Sequence, residues 1–133
     1  MEVREGMSKV VLTVGPGHTL RDAARMMADK GVGAAIVIDE EAPGPGIISE
    51  RDVLVSIGRG EDPDAERVAE HMSGSVITAA PDWSLERAAA DMAARGIRHL
   101  VICEDSGIVG VLSMRDIMRV WTSDGATSAM TPG

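Results

Sequence analysis

The chain has 133 residues, with 13 basic against 21 acidic side chains and a formal net charge of −8, which is one ordinary domain and not two conventional enzyme domains plus a linker. Two Trp with no Phe and no Tyr exclude the aromatic platforms that hold single-stranded nucleic acid, and the negative charge argues against non-specific duplex binding. A lone cysteine, Cys103, excludes an intrachain disulfide framework and a Cys-rich zinc module, and suits a reducing cytoplasm.

In chain order, Met1 to Glu5 is charged and lacks an apolar run before a cleavage site, so no secretory leader is expected. Val10-Val11-Leu12-Thr13 reads as a short strand closed by a Gly/Pro turn. Thr19 offers an N-cap, and Leu20, Ala23, Ala24 and Met27 follow at helical spacing. Lys30 and Gly31 then suit a helix C-terminus. Ala34 to Ile38 is a buried-strand pattern; the apolar run containing it, Val32 to Ile38, falls far short of the roughly 20 residues of a membrane span. After a turn over Asp39 to Pro45, Gly46-Ile47-Ile48 forms a second short strand and Ser49 opens a helix. Gly58 to Asp64 is a Gly/acidic linker, and Asp64 to Met72 is predicted to be helical. The same pattern then returns: strand Val76-Ile77-Thr78, a helix capped by Ser84 carrying Leu85, Ala88, Ala89 and Met92 and ending at Arg95-Gly96, strand His99 to Cys103, turn Glu104 to Gly107, strand Ile108 to Leu112, and a helix opened by Ser113. The segment 122–133 is small and polar and is expected to be a flexible tail. The fold class is α/β (α+β) in the order β-α-β-β-α, twice, and with no targeting signal the default location is cytoplasmic.

An internal duplication underlies that recurrence. At an offset of 65 positions, Val3, Glu5, Met7, Ser8, Val11, Thr13, Pro16, Leu20, Ala23, Ala24, Met27, Ala28 and Gly31 recur, 13 identities in 36 pairs, against about 6–8% by chance at average residue usage. After a one-residue slip, Gly46, Ser49, Arg51 and Asp52 recur as Gly110, Ser113, Arg115 and Asp116. Two copies are too few for a solenoid. They imply two half-domains sharing a core with pseudo-two-fold symmetry, with motif one at 3–58, a linker at 59–67 and motif two at 68–121.

The sharpest local signal is Gly46-Ile47-Ile48-Ser49-Glu50-Arg51-Asp52 with its twin Gly110-Val111-Leu112-Ser113-Met114-Arg115-Asp116. One reading is a capping box, Ser at the N-cap with an acidic residue three later. The other uses the same geometry for binding: free N–H groups and the positive dipole end suit phosphate, and an acceptor-only Asp suits a ribose diol. Recurrence does not choose, because duplication copies caps and sites alike.

With the Val-x-Glu-x-Met-Ser lead-in and the Thr-x-x-Pro-x-x-(Thr/Ser)-Leu opening of the first long helix, these elements give each copy three markers. Over residues 3 to 118 the chain resembles a stand-alone pair of CBS domains, modules of the cystathionine-β-synthase type. The resemblance implies two β-α-β-β-α motifs packed through their sheets, with two clefts for adenosine-containing ligands: AMP, ADP, ATP or S-adenosylmethionine. It implies that Asp52 and Asp116 hold ribose hydroxyls and that Ser49 and Ser113 reach phosphate. Leu12, Thr13 and Val14, with Ile77, Thr78 and Ala79, would line the adenine pockets, and the stretches Val32 to Ala35 and Ile97 to Leu100 would add contacts. Arg98-His99 matches a basic pair that contacts phosphate in similar proteins, where copy one has Gly33-Ala34. Losing those groups weakens a phosphate subsite by about tenfold or more, so the two sites are expected to be unequal. Arg51 and Arg115 remain as matched cations, and each of these basic residues also fits a plain surface or strand position.

Other signals are weaker. Gly31-Val32-Gly33 lacks a third glycine and precedes a strand, so it is a helix stop. No phosphate loop occurs, and His18, His71, His99 and Cys103 lack clustered ligand spacing, so no metal site is expected. Trp83 either stacks on a base or packs beside its helix. The expected function is a non-enzymatic sensor with no required cofactor, signalling in trans to a regulated protein partner. It is expected to be a homodimer built through Met26, Met92, Ile117, Val120 and Trp121, with neither nucleic acid nor membrane as partner. The alternative is a ligand-free dimerisation or interaction scaffold; no catalytic residues are assigned, because no nucleophile–base pair is visible.

Overall fold

The structure is a computed structural model that describes residues 1–123; the tail expected over 122–133 lies outside the described residues except for Thr122 and Ser123. Two compact units make up the chain, one formed by 10–76 and the other by 1–9 with the segment from Ile77 onward.

In the 10–76 unit, β1 (Thr13–Val14) leads through α2 (Leu20–Lys30) to β2 (Ala34–Val37), then β3 (Gly46–Ser49) and α3 (Glu50–Gly58). The sheet order is β1-β2-β3. The β1–β2 pair is parallel, with Thr13 opposite Ile36, and β2–β3 is antiparallel, with Ala34 opposite Ser49. Helix α2 begins where expected because Thr19 and Asp22 form a reciprocal capping box, with Thr19 Oγ1 accepting from the Asp22 N–H at 3.1 Å. It ends at Gly31, whose φ of 67° is the left-handed conformation that glycine adopts without a Cβ penalty. Alternation puts Ala35, Val37 and Ile48 on one sheet face, where they pack with Leu20, Ala23, Met27 and Val53 from the helices.

The other unit repeats this plan with β4 (Thr78–Ala79), α4 (Leu85–Arg95), β5 (His99–Glu104), β6 (Gly107–Ser113) and α5 (Met114–Trp121), preceded by the short α1 (Val3–Gly6). Its sheet order is β4-β5-β6, with His99 opposite Ser113. Ser84 caps α4 and Gly96 closes it at a φ of 67°. Leu85, Ala88, Met92, Leu100, Ile102, Leu112, Ile117 and Val120 form the core.

The repeats and the compact units divide the chain differently, because each copy's lead-in completes the other copy's unit. Val3 is fully buried with copy two, and Val68 with copy one. The hydrogen bonds match pair by pair. The Val3 N–H donates to the Trp83 carbonyl at 2.8 Å as Val68 donates to His18 at 2.9 Å, and Leu85 donates to Met1 at 2.9 Å as Leu20 donates to Glu66 at 3.0 Å. Ser8 and Val111 exchange two main-chain bonds at 2.8 and 3.0 Å, and Ser73 and Ile47 do the same at 2.9 and 3.0 Å. The lead-ins run so close to β6 and β3 that only glycine fits beneath them. A Cβ on Gly110 or on Gly46 would lie 2.8 Å from the carbonyl oxygen of Ser8 or Ser73 respectively.

Two local expectations are corrected. The predicted helix over Asp64 to Met72 is only a 3-10 turn at Val68–Glu70, entered from an extended Arg67 with φ −104° and ψ 150°. Arg67 pairs with Thr19 as an isolated bridge, and that pairing sets Val68 into the core; a helix starting at Asp64 would forfeit both. The strands expected at Val10–Thr13 and Val76–Thr78 are shorter and end one residue later, at Thr13–Val14 and Thr78–Ala79, the residues that stand in register with β2 and β5.

Candidate functional site

In each unit the register gathers part of the sequence-predicted site at one end of a sheet, and sets Val14 and Ala79 toward the other end. The parallel β1 and the antiparallel β3 bring Leu12, Gly33-Ala34 and Ser49 to the same end in the 10–76 unit. In the other unit Ile77, Arg98-His99 and Ser113 gather equivalently, with His99 directly opposite Ser113.

The Ser-x-x-Asp elements are complete capping boxes. Asp52 Oδ2 accepts from the Ser49 N–H at 2.8 Å, and Ser49 Oγ accepts from the Asp52 N–H at 3.4 Å. Asp116 Oδ2 accepts from the Ser113 N–H at 2.9 Å, and Ser113 Oγ accepts from the Asp116 N–H at 3.0 Å. The capping reading therefore holds for both, and each Asp is half-buried with its Oδ1 outside the cap. Arg119 Nη2 donates to Asp116 Oδ1 at 3.1 Å. A cap of this kind pre-orients a carboxylate beside a helix N-terminus, the arrangement that serves a vicinal diol and an anion together.

The strand residues divide by burial. Leu12, Val14 and Ala79 are core side chains of their own units, so these side chains face inward and do not line a pocket as the sequence led us to expect. Ile77 is half-buried against the core, while Thr13 and Thr78 are exposed. Because β1 is a sheet edge and Leu12 and Val14 direct their carbonyls to Ile36 and Ile38, the N–H and C=O of Thr13 point away from the sheet. Arg51, Arg98 and Arg115 are exposed and His99 is half-buried.

Among the described residues the structure also brings together groups that spacing did not reveal. Ligand atoms of Glu61, Glu66 and His71 lie within 4.8 Å of one another. His71 Nε2 meets Glu66 Oε1 at 2.8 Å, and the buried Ser56 hydroxyl donates to Glu61 Oε1 at 2.9 Å, so these groups clasp the connecting segment onto α3. Trp83 packs against the core with Arg87 over its ring at 3.6 Å, the packing alternative of the two considered. Partial burial raises the pKa of the Cys103 thiol.

The dimer residues expected from sequence need correction. Met92, Ile117 and Val120 are core residues at 0, 9 and 6% exposure, and Met26 is half-buried against the core. Trp121 is exposed, and so are Met118 and, on α3, Leu54, Val55 and Ile57. Helical periodicity marks an apolar stripe without saying which stripe faces inward.

The profile of the CBS domain matches residues 2–59 and again 68–123. The chain belongs to the CBS domain family. It is 33% identical over 131 residues to a CBS domain-containing protein of Bacillus subtilis, covering 97% of this chain and 92% of that one. It is also 33% identical over 122 residues to an uncharacterised protein of Methanopyrus kandleri, covering 90% of this chain but spanning only 62% of that protein's length. A CBS domain protein from Pyrobaculum aerophilum, solved in complex with AMP, superposes with a TM-score of 0.76 at 28% identity over 96% of this chain and 99% of that one. A CBS domain pair solved with 5′-methylthioadenosine and S-adenosylmethionine superposes at 0.80 with 22% identity over 93% and 98%, a likeness of fold. Among the described residues no helix is long and apolar enough to cross a membrane.

Proposed function

We propose that this CBS pair is a non-enzymatic regulatory module. It binds adenosine-containing ligands, AMP, ADP, ATP or S-adenosylmethionine, at its Ser-x-x-Asp edges and passes the bound state in trans to a partner protein in the cytoplasm. The observation that supports the reading is the register that sets His99 opposite Ser113, whose N–H the Asp116 carboxylate caps, with the Arg98 carbonyl bonded to the Met114 N–H, in a family member similar to an AMP-bound protein. Asp52 and Asp116 take ribose hydroxyls, Ser49, Ser113, Arg51, Arg98, His99 and Arg115 face phosphate, and the β1 and β4 edges meet the adenine. Signalling follows from population shift: a ligand that prefers one conformer of the pair raises its share by the difference in affinity.

Calorimetric titration of AMP, ADP, ATP and S-adenosylmethionine tests this on the wild type, Asp116→Ala and Arg98→Ala. Each substitution is expected to weaken AMP by about tenfold or more, the worth of one charge-assisted hydrogen bond. Unchanged affinity in both variants refutes the assignment of that edge.

A second reading, a dimerisation scaffold, draws on the exposed Leu54, Val55 and Ile57 of α3. A homodimer fits both readings, and Leu54→Glu with Ile57→Glu is expected to give monomers in sedimentation. Native mass spectrometry of freshly purified protein separates the two, since a co-purified nucleotide supports sensing.

A further inference from the structure

The two edges differ at a pair of positions that the main chain makes equivalent. The Glu50 N–H donates to the Gly33 carbonyl at 2.9 Å, and the Met114 N–H donates to the Arg98 carbonyl at 3.0 Å. Each bond ties the residue just before the central strand to the first residue of the helix that the Ser caps. At this junction one unit has glycine and a carboxylate, and the other has a guanidinium and a thioether. The Glu50 carboxylate also lies over Gly33, since a Cβ there would sit 3.1 Å from Oε1 and 3.2 Å from Cδ. Around Ser49 the chain thus sets Glu50 and Asp52 against Arg51, while around Ser113 it sets Arg98, Arg115 and Arg119, the last paired with Asp116 Oδ1 at 3.1 Å, against the one carboxylate of Asp116.

We infer that the edges sort adenosine ligands by charge: the Ser113–Asp116 edge takes 5′-phosphorylated adenosine, and the Ser49–Asp52 edge takes adenosine whose 5′ substituent is uncharged or cationic. This rests on the binding role proposed above. It goes beyond the loss of a basic pair from copy one, because Glu50 makes that edge actively repel an anion. A like charge within about 6 Å, at an effective dielectric constant of about 40, costs about tenfold in affinity. The missing Arg contact adds about another tenfold.

The test is a titration of the full ¹⁵N-labelled chain, followed at the capped amides of Ser49 and Asp52 and of Ser113 and Asp116. The ligands are AMP and 5′-methylthioadenosine, which share the nucleoside and differ in 5′ charge. AMP is expected to half-saturate the Ser113 and Asp116 amides at a concentration at least tenfold below that for Ser49 and Asp52, with 5′-methylthioadenosine lacking this bias. Glu50→Gln is expected to strengthen AMP at the Ser49 edge about tenfold. The exchange Gly33→Arg with Glu50→Met is expected to strengthen it further, leaving 5′-methylthioadenosine there within about threefold. If 5′-methylthioadenosine binds but AMP shows no preference between edges, or Glu50→Gln leaves AMP unchanged at Ser49, charge sorting is overturned and adenosine binding stands. If neither ligand moves either set of amides, the proposed function itself fails and the sorting with it.

Discussion

Replacing Gly110 by alanine puts the exchange of lead-ins to a quantitative test. The new Cβ would lie 2.7 Å from Met7 Sδ and 2.8 Å from the Ser8 carbonyl oxygen. The thioether can rotate away, whereas the Ser8 oxygen is held by a 3.0 Å bond from the Val111 N–H, with a companion bond of 2.8 Å from Ser8 to Val111. Ordinary contact requires the lead-in to retreat by about 0.6 Å, which overpacks or loosens that pair. Two main-chain bonds at about 1 kcal/mol each and a strain of about 1–3 kcal/mol bound the cost, and partial relaxation leaves about 2–4 kcal/mol. In urea the midpoint should fall with the m-value unchanged, and at about 4 °C per kcal/mol the melting temperature should drop by about 8–16 °C. Gly46→Ala should behave alike, since Ser73 O stands 2.8 Å from its Cβ. Gly74→Ala, which meets nothing within 4 Å, should stay within about 0.5 kcal/mol of wild type. A Gly110→Ala protein as stable as Gly74→Ala would refute the packing of residues 1–9 against β6.

Three further outcomes are expected. Val3→Ala and Val68→Ala, each removing two methyl groups from a fully buried site, should each cost about 2 kcal/mol in urea denaturation, although propensity alone would favour alanine in a helical turn. Ser49→Ala and Ser113→Ala should each cost about 1 kcal/mol, and the glycine substitutions only a few tenths, as expected for N-caps. The Asp22 carboxyl lies below its usual value of 3.8, chiefly because the Thr19 N–H donates to it. Folding thus favours its ionised form, so its contribution is present above the usual value and is lost as pH falls through the depressed one. Urea midpoints taken between about pH 2 and pH 6 should decline toward acid, and Asp22→Asn should flatten that decline.

How much of this was legible in the sequence follows from the range of the forces involved. The four caps at Thr19, Ser49, Ser84 and Ser113 and the left-handed stops at Gly31 and Gly96 are set by hydrogen bonds and steric limits within three or four residues, so they stand where they were expected. Family membership was legible for the same reason, since its markers are these local elements, written twice. The connecting segment was not. Asp64 to Met72 reads as helical in isolation, but Arg67 and Val68 answer to Thr19 and to a core built by residues far away in the chain. Nor could periodicity show that Met92, Ile117 and Val120 face inward while Leu54 and Ile57 face out.

By itself the sequence determined the two β-α-β-β-α copies, their caps and the carboxylates those caps orient, because each is a local conformational preference. Only the tertiary structure decided that each lead-in completes the other copy's unit, and that Gly46 and Gly110 are glycines because a backbone crosses them at 2.8 Å. It also decided that Glu50 lies over Gly33 where the second unit places Arg98. Those facts depend on register and long-range packing, in which residues far apart in the chain meet at distances that no local pattern encodes.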